Sequence, residues 1–335
     1  IAAKIRTCGP SREGAQLESS KAYAKHVMAR AGIPTAQAYT FTDVGEATAH
    51  LEAQPGPYVV KADGLAAGKG VLVTEDLIAA QSWARLCLDG HFGEAGSTVV
   101  VEDFLIGPEV SVFVLTDGKT VLPLAPARDY KRLLDGNDGP NTGGMGTFSP
   151  LAGLPEGLIE WTVDSVVHPV VEVLKEDSIT YRGFIYVGLI LTEDGPKVLE
   201  FNSRLGDPET QVVLPRLDDD LLGLLAATAA GELHGKPLAW LPDAAVDVVI
   251  ASEGYPERPV KGRPIQGIER AAAHPNALVF HASTRRTSAG IETGGGRVLN
   301  VVGTGPDIAA ARATAYAAAA EIDFEGMQYR KDIAL

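Results

Sequence analysis

The stretch "YVVKADGLAAGKGVLV", residues 58–73, constrains the fold more than any other part of this sequence. Two apolar, β-branched runs flank a loop that carries Gly64, Gly68 and Gly70 together with Lys61 and Lys69. The pattern spells strand, glycine loop, strand. It matches neither common phosphate motif. Only three residues separate Gly64 from Gly68, and Gly70 stands where a P-loop carries Ser or Thr. The dinucleotide spacing Gly-x-Gly-x-x-Gly is absent, and a strand rather than a helix follows. A phosphate bound here would be held by backbone N–H groups and lysine charge, with no helix dipole behind it. An ordinary glycine-rich hairpin is the other reading of the stretch by itself.

The chain around that loop is long enough for about two or three globular units, with 335 residues of which 45% are hydrophobic. Its formal net charge of −14 argues against nucleic acid as a partner. Cys8 and Cys87 form neither a disulfide framework nor a metal spacing, which fits a reducing, cytoplasmic setting. No apolar run reaches membrane-spanning length, and no signal peptide is visible. The seven histidines are scattered singly and are assigned no chemistry.

Periodicity orders the rest into an α/β (α+β) chain. Residues 16–31 read as a helix closed by Gly32 and Pro34. Residues 38–103 alternate strand and helix as a compact lid subdomain. Hairpins are expected around Asp117-Gly118 and Asp194-Gly195, and helices over 156–175 and after the acidic run 218–220. The proline-bearing stretch "GKPLAWLPDAA" reads as a boundary. Beyond it, strands at 246–252, 277–283 and 297–303 and an Ala-rich helix at 309–320 make a small α/β unit.

Three stretches carry candidate chemistry. In "VLEFNSRLGDPET", residues 198–210, strand alternation puts Glu200, Asn202 and Arg204 on one face. A carboxylate and an amide oxygen side by side suit Mg²⁺, and an arginine beside them calls for an anion between. A solvated strand face with a surface ion pair fits the same residues equally well. Asp207-Pro208 reads first as a helix N-cap followed by proline, with a functional role for Asp207 second. In "VEDFLIGPEVSV", residues 101–112, the backbone could meet an adenine edge and Glu109 ribose hydroxyls, although a plain loop explains the composition too. The long loop "RDYKRLLDGNDGPNTGGMGTFSP", residues 128–150, combines basic residues with glycines that permit close backbone approach to a ligand. A flexible surface excursion is its alternative.

Taken in order, "QLESSK", "KADGLAAGKGV", "DGPNTGGMG", "EFNSRLGDPETQ" and "YRKDI" span nearly the whole chain. With these words the sequence resembles the ATP-grasp superfamily, and within it the family of glycinamide ribonucleotide synthetases (phosphoribosylamine–glycine ligases). The resemblance implies an ATP-grasp fold with a lid subdomain and a C-terminal α/β domain. Domains would fall at 16–37 with 104–240 (central), 38–103 (lid) and 241–335 (C-terminal). It implies ATP and Mg²⁺ (or Mn²⁺) as cofactors, with glycine and 5-phosphoribosylamine as substrates and no membrane partner.

By the same resemblance, Lys21 and Lys61 would contact ATP phosphates, and Gly64, Gly68, Lys69 and Gly70 would fold over them. Glu102, Phe104 and Leu105 would form the adenine hinge, and Glu109 would hold ribose. Glu200 and Asn202 would bind the metal. Asp129, Lys131, Asn141, Thr142, Gly143 and Met145 would line the phosphoribosylamine side, with Arg204 and Asp207 near glycine and the transferring phosphoryl group. No catalytic Ser, Cys or His is expected. Ser203 and Leu205 are minor departures within the motif. The family's Rossmann-like first domain has no match here, so residues 1–15 are expected to be its remnant or a linker from it. That leaves two alternatives: another ATP-grasp carboxylate–amine ligase, against which "DGPNTGGMG" speaks, and a catalytically incomplete nucleotide-binding fragment.

Overall fold

The computed structural model describes residues 6–66 and 69–335, so the expectations placed on Gly68 and on residues 1–5 lie outside the described residues. The chain forms two compact units. One runs to Pro123 and takes in Pro155–Leu205 and Asp220–Pro237; the other comprises Leu124–Leu154, Gly206–Asp219 and Leu238–Leu335. Every ladder between described strands is antiparallel.

The first unit holds two four-stranded sheets. The lid sheet has the order Ala38–Phe41, Val99–Asp103, Tyr58–Ala62, Val71–Thr74. The glycine loop therefore joins two paired strands, with Lys61 opposite Val71. One face of this sheet packs Val60, Ala62, Val99 and Val101 against Leu51, Ala80 and Ala84 of the helices Val44–Ala53 and Leu77–Leu86. Asp43 and Asp76 cap those helices by accepting from backbone N–H groups in the first turn. The second sheet has the order Gly195–Asn202, Gly183–Thr192, Glu109–Thr116, Val121–Pro123.

The helix expected over 16–31 is broken. It forms as Gln16–Ser19 and Lys21–Arg30, because Ser20 takes an extended backbone and its hydroxyl caps the second helix at the Tyr23 N–H. Neither serine caps nor helix breaks show in apolar periodicity, which runs smoothly through this stretch.

The second unit is built on a five-stranded sheet ordered Ala277–His281, Arg297–Gly305, Ala244–Ala251, Gly146–Ser149, Arg128–Asp129. The Ala-rich helix Ile308–Ala319 lies across it, with Ala311, Ala315, Ala318 and Ala319 fully buried. Gly303 permits that approach: a Cβ there would stand 2.2 Å from the Ala311 carbonyl oxygen. No helix among the described residues is long and apolar enough to cross a membrane.

Candidate active site

In the first unit, register creates a charged face on the lid sheet. Val59 pairs with Glu102 and Lys61 with Val100, so Lys61 and Glu102 are diagonal neighbours on the face away from the helices. Lys61 Nζ lies 2.9 Å from one Glu102 oxygen, and Lys25 Nζ lies 3.2 Å from the other. The Glu102 side chain keeps only 3% of its exposure. Lys25, on the helix Lys21–Arg30, also donates to Thr35 Oγ1 at 2.7 Å and to the Ala36 carbonyl at 3.2 Å. Burial pulls its ammonium pKa down, and the Glu102 charge opposes that fall. Sequence reasoning passed over Lys25, whose partner is fixed only by tertiary packing. Glu102 was expected as a backbone hinge; its side chain proves to be a buried counter-charge.

The start of the glycine loop is anchored to the same helix. Lys21 Nζ donates to the carbonyls of Ala62 at 2.9 Å and of Asp63 and Gly64 at 3.3 Å. The Asp63 carboxylate accepts from Ser20 Oγ at 2.9 Å and the Ala22 N–H at 2.6 Å. Lys21 is therefore committed to loop carbonyls. Burial lowers its pKa, and the fields of Glu200, Asp63 and Glu102 counter this, while Lys61 adds to it. Those fields tie Lys21, Lys61, Glu102 and Glu200 into one electrostatic cluster. Gly64 donates to the Ala95 carbonyl at 2.9 Å, and a Cβ on it would sit 2.6 Å from Ala95 Cα. Lys69 is exposed and Gly70 buried. Phe104 and Glu109 are exposed, and Leu105 half-buried, where the lid strand leads into Glu109–Thr116.

Glu200 and Asn202 do share a face, but through a bulge. Glu200 pairs with Gly188 and Val198 with Leu189, which leaves Leu199 as an extra residue. The bulge turns Val198 and Phe201 inward, both buried, while Glu200 and Asn202 stand opposite them. Neither side chain makes a hydrogen bond to another described residue, so a carboxylate and an amide oxygen are uncommitted side by side. That donor set fits a hard divalent cation that completes its shell with water or phosphate oxygens. Arg204 does not extend the face. The strand ends at Asn202, and Arg204 turns to Glu18, with Nε 2.9 Å from Oε1. Glu18 also accepts from the Ser203 N–H at 2.9 Å, which fixes the turn.

In the second unit, the glycine loop of residues 141–146 pairs with 129–131. Thr142 N–H and Oγ1 both donate to the Lys131 carbonyl at 2.7 Å, and Met145 N–H donates to Tyr130. Asp129 and Lys131 form an ion pair at 2.8 Å. Asn141 and Gly143 are exposed, whereas Met145 is fully buried and supports the loop from beneath. Asp207 is not an N-cap: the following helix begins at Thr210 with Glu209 ahead of it. Arg297 binds it instead, donating to the Asp207 carbonyl at 2.9 Å and to Oδ2 at 3.2 Å, and to the Gly143 carbonyl at 2.8 Å. Tyr255 Oη accepts from the Gly143 N–H at 2.9 Å. Behind them, burial pushes the Asp247 carboxyl well up, and Asp207 adds to this while Arg297 opposes it. Arg297, Tyr255 and Asp247 were not foreseen; the run "GGGR" before the last strand was the available signal.

Antiparallel lid and central sheets, a glycine flap and a strand-borne carboxylate–amide pair define an ATP-grasp enzyme. The biotin carboxylase domain of Hydrogenobacter thermophilus 2-oxoglutarate carboxylase, solved with MgADP, ADP and bicarbonate, shares the fold: TM-score 0.74 at 19% identity, over 98% of this chain and 71% of that one. Within that class the match is narrower. Residues 19–210 match the phosphoribosylglycinamide synthetase ATP-grasp (A) domain, and residues 245–335 the phosphoribosylglycinamide synthetase C domain. The phosphoribosylamine–glycine ligase of Streptomyces coelicolor is 51% identical over 99% of this chain and 78% of its own length. The crystal structure of the Thermotoga maritima phosphoribosylamine–glycine ligase has a TM-score of 0.88 at 37% identity, over 97% of this chain and 81% of that one. The chain belongs to the phosphoribosylglycinamide synthetase family.

Proposed function

We propose that this chain joins glycine to 5-phosphoribosylamine at the expense of ATP, giving glycinamide ribonucleotide, ADP and phosphate. The observation that carries the reading is the lysine cluster around Glu102 and Glu200, beside the anchored start of the glycine loop. Such a site positions and neutralises phosphates rather than forming covalent intermediates with the protein.

In this reading the glycine carboxylate attacks the γ-phosphorus of ATP, and ADP leaves. The amine of phosphoribosylamine then attacks the acyl carbon of glycyl phosphate, loses a proton and expels inorganic phosphate. Lys61, fixed by Glu102, presents positive charge to the nucleotide phosphates. Lys21 holds the flap's first carbonyls in place, so that the exposed Lys69 approaches only as the flap closes. Closure excludes water from the acyl phosphate. Phe104, Leu105 and Glu109 border the nucleoside. Asp129, Lys131, Asn141, Thr142 and Gly143 face the phosphorylated amine, and Asp207 and Arg204 serve the glycine side. Glu200 and Asn202 would hold Mg²⁺ or Mn²⁺, which supplies charge neutralisation on the phosphates when bound.

The test is ADP release by the full chain with each substrate omitted in turn. ADP formation is expected to require both glycine and phosphoribosylamine. Turnover with bicarbonate or another amino acid in place of glycine, and none with glycine, refutes the assignment.

A further inference from the structure

The motif "YRKDI" at 329–333 has no part in the chemistry above, yet it holds one of the most thoroughly satisfied side chains in the second unit. Arg330 is an arginine with only 1% of its surface exposed. Its guanidinium grips Asp332 at both oxygens, 2.7 Å each. A third N–H bond reaches the Arg132 carbonyl at 3.1 Å, and the same nitrogen lies 3.0 Å from Asn137 Oδ1. The plane sits over the Tyr130 ring, 4.7 Å from its centroid. Burying a guanidinium is costly unless its donors find partners, and here two bonds go to Asp332 and two to the segment 132–137.

That loop is the one flanked by the acceptor residues. Asp332 accepts from the Gly136 N–H at 2.8 Å, Asp135 accepts from the Lys331 N–H at 2.7 Å, and Tyr130 Oη accepts from the Ala334 N–H at 2.9 Å. Gly136 and Asn137 both take positive φ, +69° and +57°, the left-handed turn conformation that glycine and asparagine adopt most readily. Tyr130, clamped between ring contact and hydroxyl bond, lies between Asp129 and Lys131.

We propose that Arg330 and Asp332 are positioning residues for the amine acceptor: they hold the turn 135–137 and Tyr130, and so set where Asp129 and Lys131 meet a phosphorylated amine. The inference rests on the function proposed above. Its consequence is a defect confined to one substrate, because the nucleotide and glycine groups are held by other contacts.

The experiment is steady-state kinetics of the full chain, with KM measured separately for ATP, glycine and phosphoribosylamine. Arg330→Lys and Asp332→Asn are expected to raise the acceptor KM by about tenfold or more, since a shift on the order of 1 Å at a binding group has effects of that size. KM for ATP and glycine should stay within about twofold. Asp135→Ala leaves the buried arginine intact and removes one surface bond, so it should fold even where the others do not and raise acceptor KM about three- to tenfold. A fall in kcat alone, with all three KM values unchanged, marks lost folded protein and overturns the inference; so does an equal rise in all three. Absence of turnover by the unsubstituted chain overturns the proposed function and this inference with it, whereas turnover with an unaltered acceptor KM in Asp135→Ala overturns the inference alone.

Discussion

Replacing Glu102 by Gln removes one negative charge that faces two buried ammonium groups. The carboxylate oxygens lie 2.9 and 3.2 Å from Lys61 and Lys25 Nζ, and the two lysine side chains keep 11% of their exposure each. At an effective dielectric of about 20, a pair of unit charges roughly 3 Å apart attracts by roughly 5 kcal/mol, most of which desolvation offsets. Removing one partner from such a pair costs about 3–5 kcal/mol. Here both lysines lose their counter-charge, which places Glu102→Gln at the upper end of that range. The loss is comparable with the whole stability of a marginal domain, about 5–15 kcal/mol. Lys25 keeps Thr35 and Ala36 as acceptors but loses the field that opposes its burial, so its ammonium gives up the proton more readily than before. Urea unfolding monitored through Trp83, packed against the lid core, measures the effect. The double variant Glu102→Gln/Lys25→Met is expected to recover part of the loss, because it removes one uncompensated charge along with the carboxylate. A cost below about 1 kcal/mol, the size of an exposed pair, refutes the buried triad. So does a double variant whose loss equals the sum of the two single losses.

Glu200→Ala should abolish metal-dependent ADP formation while the thermal unfolding profile is retained; unchanged activity with Mg²⁺ removes the metal assignment. Gly144 has φ +111°, and a Cβ there would lie 2.5 Å from Pro208 Cδ, so Gly144→Ala should cost about 1–3 kcal/mol and weaken acceptor binding, read from denaturation and KM. Asp247 has its carboxyl pKa pushed well above 3.8 in the folded chain. The folded state then binds more protons than the unfolded state between those values, so this group's stabilisation is complete below 3.8 and is lost as pH rises through the folded value. Asp247→Asn is therefore expected to match the unsubstituted chain near the acid end of that window and to exceed its stability at neutral pH. Equal denaturation midpoints at both would show that Asp247 ionises normally.

What could be read from the sequence was what the local backbone decides. The hairpin around residues 61–71 and the Ala-rich helix follow from turn chemistry and propensity, and both formed close to where they were expected. What could not be read was the choice of charge partners. Lys25 looks like any polar position on an amphipathic helix, and only the lid register that sets Glu102 beside Lys61 makes it a member of the site. The Glu200 and Asn202 face is the instructive case. Plain alternation groups Val198 with Glu200 and Asn202 and continues to Arg204, yet Val198 is buried with Phe201 and Arg204 leaves the strand for Glu18. A single extra residue, Leu199, reverses the parity ahead of the pair. Such a bulge has no composition signal, because either pairing satisfies the apolar residues locally. The two candidate oxygen donors were therefore singled out by chemistry, from a carboxylate and an amide two residues apart, while the geometry that aims them depends on a register set by the partner strand.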